Sequence, residues 1–380
     1  AGARPYRGGV GRETVTRRVG KAKRAHRLIQ TWAWARAAPF AHPTGLARTL
    51  YGPVGMNMRK LVARVATVVA VAFAVAGPAG AQDWPAKPVK IVAPFAPGGT
   101  ADTLARVLAD NFSQIFRQTF YIENRPGAGG MLGSAAVASA EPDGYTLVVS
   151  GIASHVIAPA FNINPPYDGA RDFTHIAYLG GPPVGLLVHP GLGLNSYRDF
   201  LAFAKGRTDV LDYTSSGTGT LGFLVGDDLA RKEKLRLNHI PYKGGGPALL
   251  DLVAGHVRIA TMTFASAAEQ VRAGAVRALA VSSEGRLVHF PDIPTFKEQG
   301  YDDMVATTWF ALSGPPQLPK PIVEALNRAT WKVLQQPDVH QRLVQDEIEL
   351  KPMTPDEVTA FVWRETARWA PAAKAAAASP

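Results

Sequence analysis

The 380 residues contain no cysteine. This excludes disulfides, thiolate metal sites, a cysteine nucleophile and a lipid anchor on cysteine. The serine-hydrolase and β-lactamase motifs G-x-S-x-G and S-x-x-K are missing, as is the zinc-protease motif H-E-x-x-H. The nine histidines are scattered, with no close pair at metal-ligand spacing. Asp227 and Asp228 are adjacent in a helical run, so their carboxylates diverge. No aromatic platform for single-stranded nucleic acid is visible. The apolar run over 65–75 is too short to span a bilayer, which takes about 20 residues.

Net charge is also missing from most of the chain. The formal net charge of +11 invites a nucleic-acid reading. Residues 1–81, however, hold 14 of the Lys and Arg residues and a single acid, Glu13. The remainder carries a net charge of about −2, so the basicity belongs to the N-terminus alone.

That N-terminus has two parts. Residues 58–81 read as a secretory signal peptide. Arg59, Lys60 and Arg64 precede the apolar run, and Ala79-Gly80-Ala81 supplies the small-residue cleavage pattern. Cleavage is expected after Ala81. Residues 1–57 lack periodicity and are rich in Arg, Gly and Trp. They are expected to be a non-native or disordered basic extension, with Met56 or Met58 as the start. The expected address is therefore the periplasm.

From residue 90 onward strands and helices alternate. Strands are expected at 90–95, 120–124, 145–150, 185–188, 211–214, 237–241, 257–262, 276–282 and 305–313. Helices are expected from about Thr100, at 196–205, 221–232, 247–254 and 266–272, and from about Pro319, Asp338 and Thr354. Residues 372–378 read as a frayed end. This order gives an α/β protein whose first three strands form a parallel sheet covered on both faces.

Three turns stand where such sheets bind ligands, outside the carboxyl ends of strands. Phe95-Ala96-Pro97-Gly98-Gly99-Thr100 opens a helix, with Asp102 in its first turn. Unpaired amides and the helix dipole favour an anion there, although an ordinary tight turn would look the same. Ser215-Ser216-Gly217-Thr218-Gly219-Thr220 is a hydroxyl-rich counterpart. With Gly222 it also matches G-x-G-x-x-G, but the next strand ends at Tyr242-Lys243 with no acid to hold a ribose. In the third turn Lys243 precedes Gly244-Gly245-Gly246 and is either a carboxylate partner or a solvated lysine. His155 follows a strand end and could reach a cleft, although a lone histidine is more often a surface or capping residue.

The combined motifs resemble the Bug-type substrate-binding proteins of tripartite tricarboxylate transporters. They are Val92-Ala-Pro-Phe-Ala-Pro-Gly-Gly99, Glu123-Asn-Arg-Pro-Gly-Ala-Gly-Gly130, Pro142-Asp-Gly-Tyr-Thr-Leu147, His239-Ile-Pro-Tyr-Lys-Gly244, Val276-Arg-Ala-Leu-Ala-Val281 and Phe290-Pro-Asp-Ile-Pro-Thr295. The resemblance runs from Trp84 to Trp369. It implies a two-lobed type II periplasmic binding protein fold, each lobe a sheet flanked by helices, joined by hinge strands. The implied lobes are 82–183 plus 306–380, and 184–305. It implies a receptor, not an enzyme, with no cofactor and no metal. The receptor captures a small carboxylate by hinge closure and serves the membrane subunits of a tripartite transporter as a monomer.

Site residues carried over are the 95–100 turn with Asp102, the 215–220 turn, Lys243, and Phe264 with Ala265 in a closing loop. Ser154, within 151–154, and Trp309 are weaker candidates. Three positions depart from the family pattern. Phe223 stands where a His is common, Arg258 where an Asp is common, and Ala265 where an Asp often follows the phenylalanine. Two other readings are an exported sensor feeding a signalling kinase and an exported hydrolase or transferase on the same fold. A LysR-like regulator is disfavoured, since the expected signal peptide stands where a helix-turn-helix would be needed.

Overall fold

A computed structural model of the chain describes residues 84–378. The extension expected at 1–57 and the signal peptide expected at 58–81 lie outside these residues.

The described residues build two five-stranded sheets. The first orders its strands β2-β1-β3-β10-β4, where β1 is Val89–Ala93, β2 Phe120–Asn124, β3 Thr146–Gly151, β4 Thr174–Gly180 and β10 Phe310–Gly314. The second orders them β7-β6-β8-β5-β9, from β5 Val184–Val188, β6 Leu211–Ser215, β7 Leu237–Pro241, β8 Ile259–Thr263 and β9 Arg277–Val281. β1 pairs in parallel with β2 and β3, as the strand-helix-strand alternation requires. The sheets are nonetheless mixed. β10 runs antiparallel to β3 and β4, and β5 runs antiparallel to β8 and β9. These antiparallel strands are the ones through which the chain passes between the two sheets.

Helices cover the sheets because their apolar residues recur at helical spacing. In α1, Thr100–Ile115, the residues Leu104, Leu108 and Phe112 are almost fully buried. Phe112 stacks edge-on against Phe116 and Phe120 with centroids 5.6 and 5.3 Å away. The other helices are α2 Met131–Ala138, α3 Ala158–Phe161, α4 Tyr197–Lys205, α5 Leu221–Glu233, α6 Gly245–Val253, α7 Ala268–Arg272, α8 Lys320–Leu334, α9 Pro337–Gln345 and α10 Pro355–Ala377. Helix α10 is fixed at its start by reciprocal bonds between Thr354 and Glu357. It continues through the alanines expected to fray, because Ala373 and Ala376 are buried in the core.

The chain crosses between the sheets twice, at 181–183 and again before β10. The crossings lie side by side. Pro183 bridges Thr307, and the Thr308 amide donates to the Pro182 carbonyl at 2.8 Å. Strand β4 has no counterpart in the sequence reading. β10 begins at Phe310, later than the expected 305, because the preceding residues form this crossing.

Candidate functional site

The carboxyl ends of β1, β3, β6, β7 and β8 all point into the cleft between the sheets. A cavity of about 40 Å³ lies there. The first sheet's side contributes Phe95 and the opening turn of α1, from Gly99 to Ala101. It also contributes Gly151 to Ala153 after β3, and Thr308 to Phe310 at the second crossing. From the other side come Ser216 and the start of α5, Thr220 to Gly222. Gly245 at the start of α6, with Thr263 at the end of β8 and Ser266 beyond it, completes the wall.

Three helices therefore aim their N-termini at one small space. Their first amides lack partners within the helix and carry the positive end of the dipole. The side chains add hydroxyls from Thr100, Ser216, Thr220, Thr263, Ser266 and Thr308. Among the described residues, no Lys, Arg, His, Asp or Glu lines the cavity. Thr308 Oγ1 is buried and has no hydrogen-bond partner among the described residues.

The approach of the two halves depends on glycine. A Cβ on Gly246 would stand 2.1 Å from the Pro97 carbonyl oxygen. Gly98 takes a φ of +86°, which lets its turn lie against α6. Bonds then cross the cleft. The Ala96 amide donates to the Lys243 carbonyl at 2.9 Å, and the Thr100 amide donates to Ser266 Oγ at 3.2 Å.

The residues expected from sequence occupy different places. Phe95, Gly99, Thr100, Ser216 and Thr220 line the cavity. Ala96, Pro97 and Gly98 form the turn behind it and meet α6. Asp102 is buried with its carboxylate turned into the turn. It accepts from the Gly98 amide at 3.1 Å, Asn124 Nδ2 at 2.8 Å and Arg106 Nε at 2.9 Å. Burial alone would raise its pKa, but these bonds outweigh that and hold it below the ordinary carboxylate range.

On the other side of the cleft, Ser215 Oγ accepts from the Gly217 amide and pairs with His239 Nε2 at 2.8 Å. Gly217, Thr218 and Gly219 shape the turn. Thr220 Oγ1 donates to Gly217 O and caps α5. Lys243 is exposed, and its carbonyl makes the cross-cleft bond. Phe264 is fully buried against Phe290, with centroids 4.9 Å apart. Ala265 packs across the cleft onto the core of the first sheet. Ser154 Oγ is paired with His155 Nδ1 at 3.0 Å, away from the cavity.

Three of the hydroxyl contributors were not named in the sequence reading. Thr263, Ser266 and Thr308 sit in stretches with no motif, and only the tertiary fold brings them to the cavity. His155, read from sequence as either reaching the cleft or serving as a surface or capping residue, is buried and does not line the cavity. It lies beside His175, with ring centroids 6.1 Å apart, in a turn that follows β3 directly into the core. Phe223, at a position that departs from the family pattern, stacks on Phe161 of α3 across the cleft, with centroids 5.5 Å apart.

Two mixed sheets with a ligand-sized cleft between strand ends define a two-lobed periplasmic binding protein. The family model described as tripartite tricarboxylate transporter family receptor matches residues 104–377, and the chain belongs to this family of periplasmic solute-binding receptors. It is 34% identical over 317 residues to protein BugT of Bordetella pertussis, covering 83% of this chain and 97% of that one. MatC from Rhodopseudomonas palustris, solved with bound malate, superposes with a TM-score of 0.73 at 33% identity, covering 76% of this chain and all of that one. R. palustris Rpa4515, solved with adipate, gives a TM-score of 0.73 at 31% identity, covering 77% and 98%.

Proposed function

We propose that the protein captures a small carboxylate between its lobes and delivers it to the membrane subunits of a tripartite tricarboxylate-type transporter. The observation that carries this reading is the convergence of three helix starts and six hydroxyls on one cavity without a lysine or arginine. Such a set holds an anion by amide and hydroxyl donation and needs no counter-ion. The malate and adipate in the two R. palustris relatives support the class of ligand.

In this reading the lobes divide at residues 183–184 and 305–306, giving 82–183 plus 306–380 and 184–305. The two crossings act as the hinge. The turns at 95–100 and 215–220 contact the ligand, with Ser266 and Thr308 joining them. Asp102 and Ser215 act indirectly, by holding those turns in shape. A ligand that touches both lobes stabilises the closed form over the open one and so drives closure. No covalent step is required, and the protein acts as a monomer.

The test is a thermal-shift screen of small carboxylates on protein stripped of ligand by unfolding and refolding. A ligand at 100 times its Kd adds about 2.7 kcal/mol, which raises Tm by a few degrees. A hit recovered chemically unchanged supports the receptor reading. A well-folded sample that responds to no carboxylate overturns it.

A further inference from the structure

We infer that Arg125 and Lys243, on opposite lobes, form a cationic port that draws the anionic ligand into the cleft. The inference rests on the carboxylate reading above and adds how the anion arrives. Both residues belong to motifs that carry the family resemblance, yet neither lines the cavity. Arg125 follows β2 and Lys243 follows β7. These are edge strands, each at the far side of its sheet from the strands that lead into the crossings. The pair therefore stands at the mouth of the cleft, opposite the crossings.

Backbone bonds fix both residues beside the 95–100 turn. The Arg125 amide donates to the Ala93 carbonyl at 2.9 Å, and Asn124 Nδ2 donates to the Phe95 carbonyl at 3.1 Å. From the other lobe the Lys243 carbonyl accepts from the Ala96 amide at 2.9 Å. Phe95 is part of the cavity wall, while Pro97 and Gly98 are exposed. The turn that the two cations flank thus reaches from the ligand space to solvent.

Both residues are exposed, and the side chain of neither makes a hydrogen bond, ion pair or ring contact among the described residues. Acids on the adjoining segments already have partners. Glu123 pairs with Lys90 at 3.1 Å, Asp102 pairs with Arg106 at 2.9 Å, and Asp251 accepts from Tyr242 and His256. Two unanswered positive charges therefore flank the entrance to a cavity lined, among the described residues, by no charged side chain. The residues after 81 carry a net charge of about −2, so the domain as a whole repels an approaching carboxylate. A local field of opposite sign at the entrance reverses that repulsion and raises the association rate without contact to the bound ligand.

The experiment is stopped-flow mixing of the ligand-stripped protein with malate, with adipate and with every other carboxylate that raises its Tm. Binding is followed through tryptophan emission, since Trp309 lines the cavity. In the Arg125→Gln/Lys243→Gln double variant the association rate at about 10 mM salt should fall about fivefold or more, while the dissociation rate stays the same. At about 0.5 M salt, where screening acts within a few ångströms, wild type and variant should converge. A matched loss of charge in Lys332→Gln/Lys351→Gln, on α8 and between α9 and α10, should leave the association rate near that of the wild type. An association rate unchanged in the port variant, or slowed equally in the matched variant, overturns the inference. So does faster dissociation from the port variant, which would make the two cations direct ligand contacts. In each of these cases the carboxylate reading stands. If no carboxylate binds the wild type, that reading falls and takes the port with it.

Discussion

Ser266 Oγ lies 2.9 Å from Thr100 Oγ1, joining residues 166 positions apart in sequence across the cleft. The same Ser266 oxygen accepts from the Thr100 amide, so one lobe caps the first helix of the other. If the lobes move as proposed, this contact forms only on closure and contributes to its energetics.

Replacing Ser266 with alanine should therefore shift the lobes toward opening. A net hydrogen bond contributes about 1 kcal/mol, enough to change the open-to-closed ratio several-fold. Because the chain lacks cysteine, a single pair can be introduced for dye labelling at the exposed Ile163 and Leu250. The distance distribution between the dyes should broaden or lengthen in Ser266→Ala and return toward normal in Ser266→Thr. An unchanged distribution would show that the clasp does not set the equilibrium.

A methyl group at Gly246 should act more strongly. Its Cβ would lie 2.1 Å from Pro97 O, a backbone atom that cannot rotate away. The Gly246→Ala variant should keep its melting temperature within a few degrees, because α6 itself tolerates alanine well. Its lobes should nonetheless stay apart in small-angle scattering, and affinity for any ligand of the wild type should fall about tenfold or more. Normal closure in Gly246→Ala would contradict the tight approach of the two turns.

Asp102 ties together the Gly98 amide, Asn124 and Arg106. Replacing it with alanine leaves those donors without their acceptor and should cost about 2–3 kcal/mol in urea unfolding. The change should loosen the 95–100 turn, so affinity drops as well. A loss of affinity with stability untouched would instead point to direct ligand contact by the carboxylate.

Acid should weaken the first lobe through its buried histidines. Burial lowers the pKa of His175 to about 4, slightly offset by a bond with the Ala170 backbone. Burial, and secondarily His175, lowers His155 well below its usual value. Both folded-state values lie below the unfolded value, so the unfolded chain binds protons more readily. Stability is full above pH about 6.5 and is lost as the pH falls toward 4. For His175 alone the loss is about 3 kcal/mol. Urea midpoints measured from pH 7.5 to 4.5 should fall over this window, and His175→Asn should flatten the decline. A flat profile in the wild type would mean that the pair is solvated or paired.

Much of this protein follows from local pattern. Helical spacing of Leu104, Leu108 and Phe112 specifies α1, and glycine at 98 and 99 specifies a turn that amides can line. Strand-turn-helix order places that turn at a ligand-binding edge, and six ordered motifs identify the family. These features need only neighbours in sequence, because helix period, turn conformation and strand alternation are short-range properties.

Other features required the packed chain. Strand β4 escaped notice because it is buried almost throughout and so lacks the alternation that marks a half-exposed strand. The burial of His155 follows from where β3 ends and α10 passes, which no local signal encodes. The wall contributed by Ser266 and Thr308 exists only because β8 and the second crossing end opposite α1. Sequence thus determined the helices, the turns and the anion-favouring helix starts. Tertiary structure alone decided which hydroxyls face them, since contacts between residues more than a hundred positions apart depend on how the two sheets are joined.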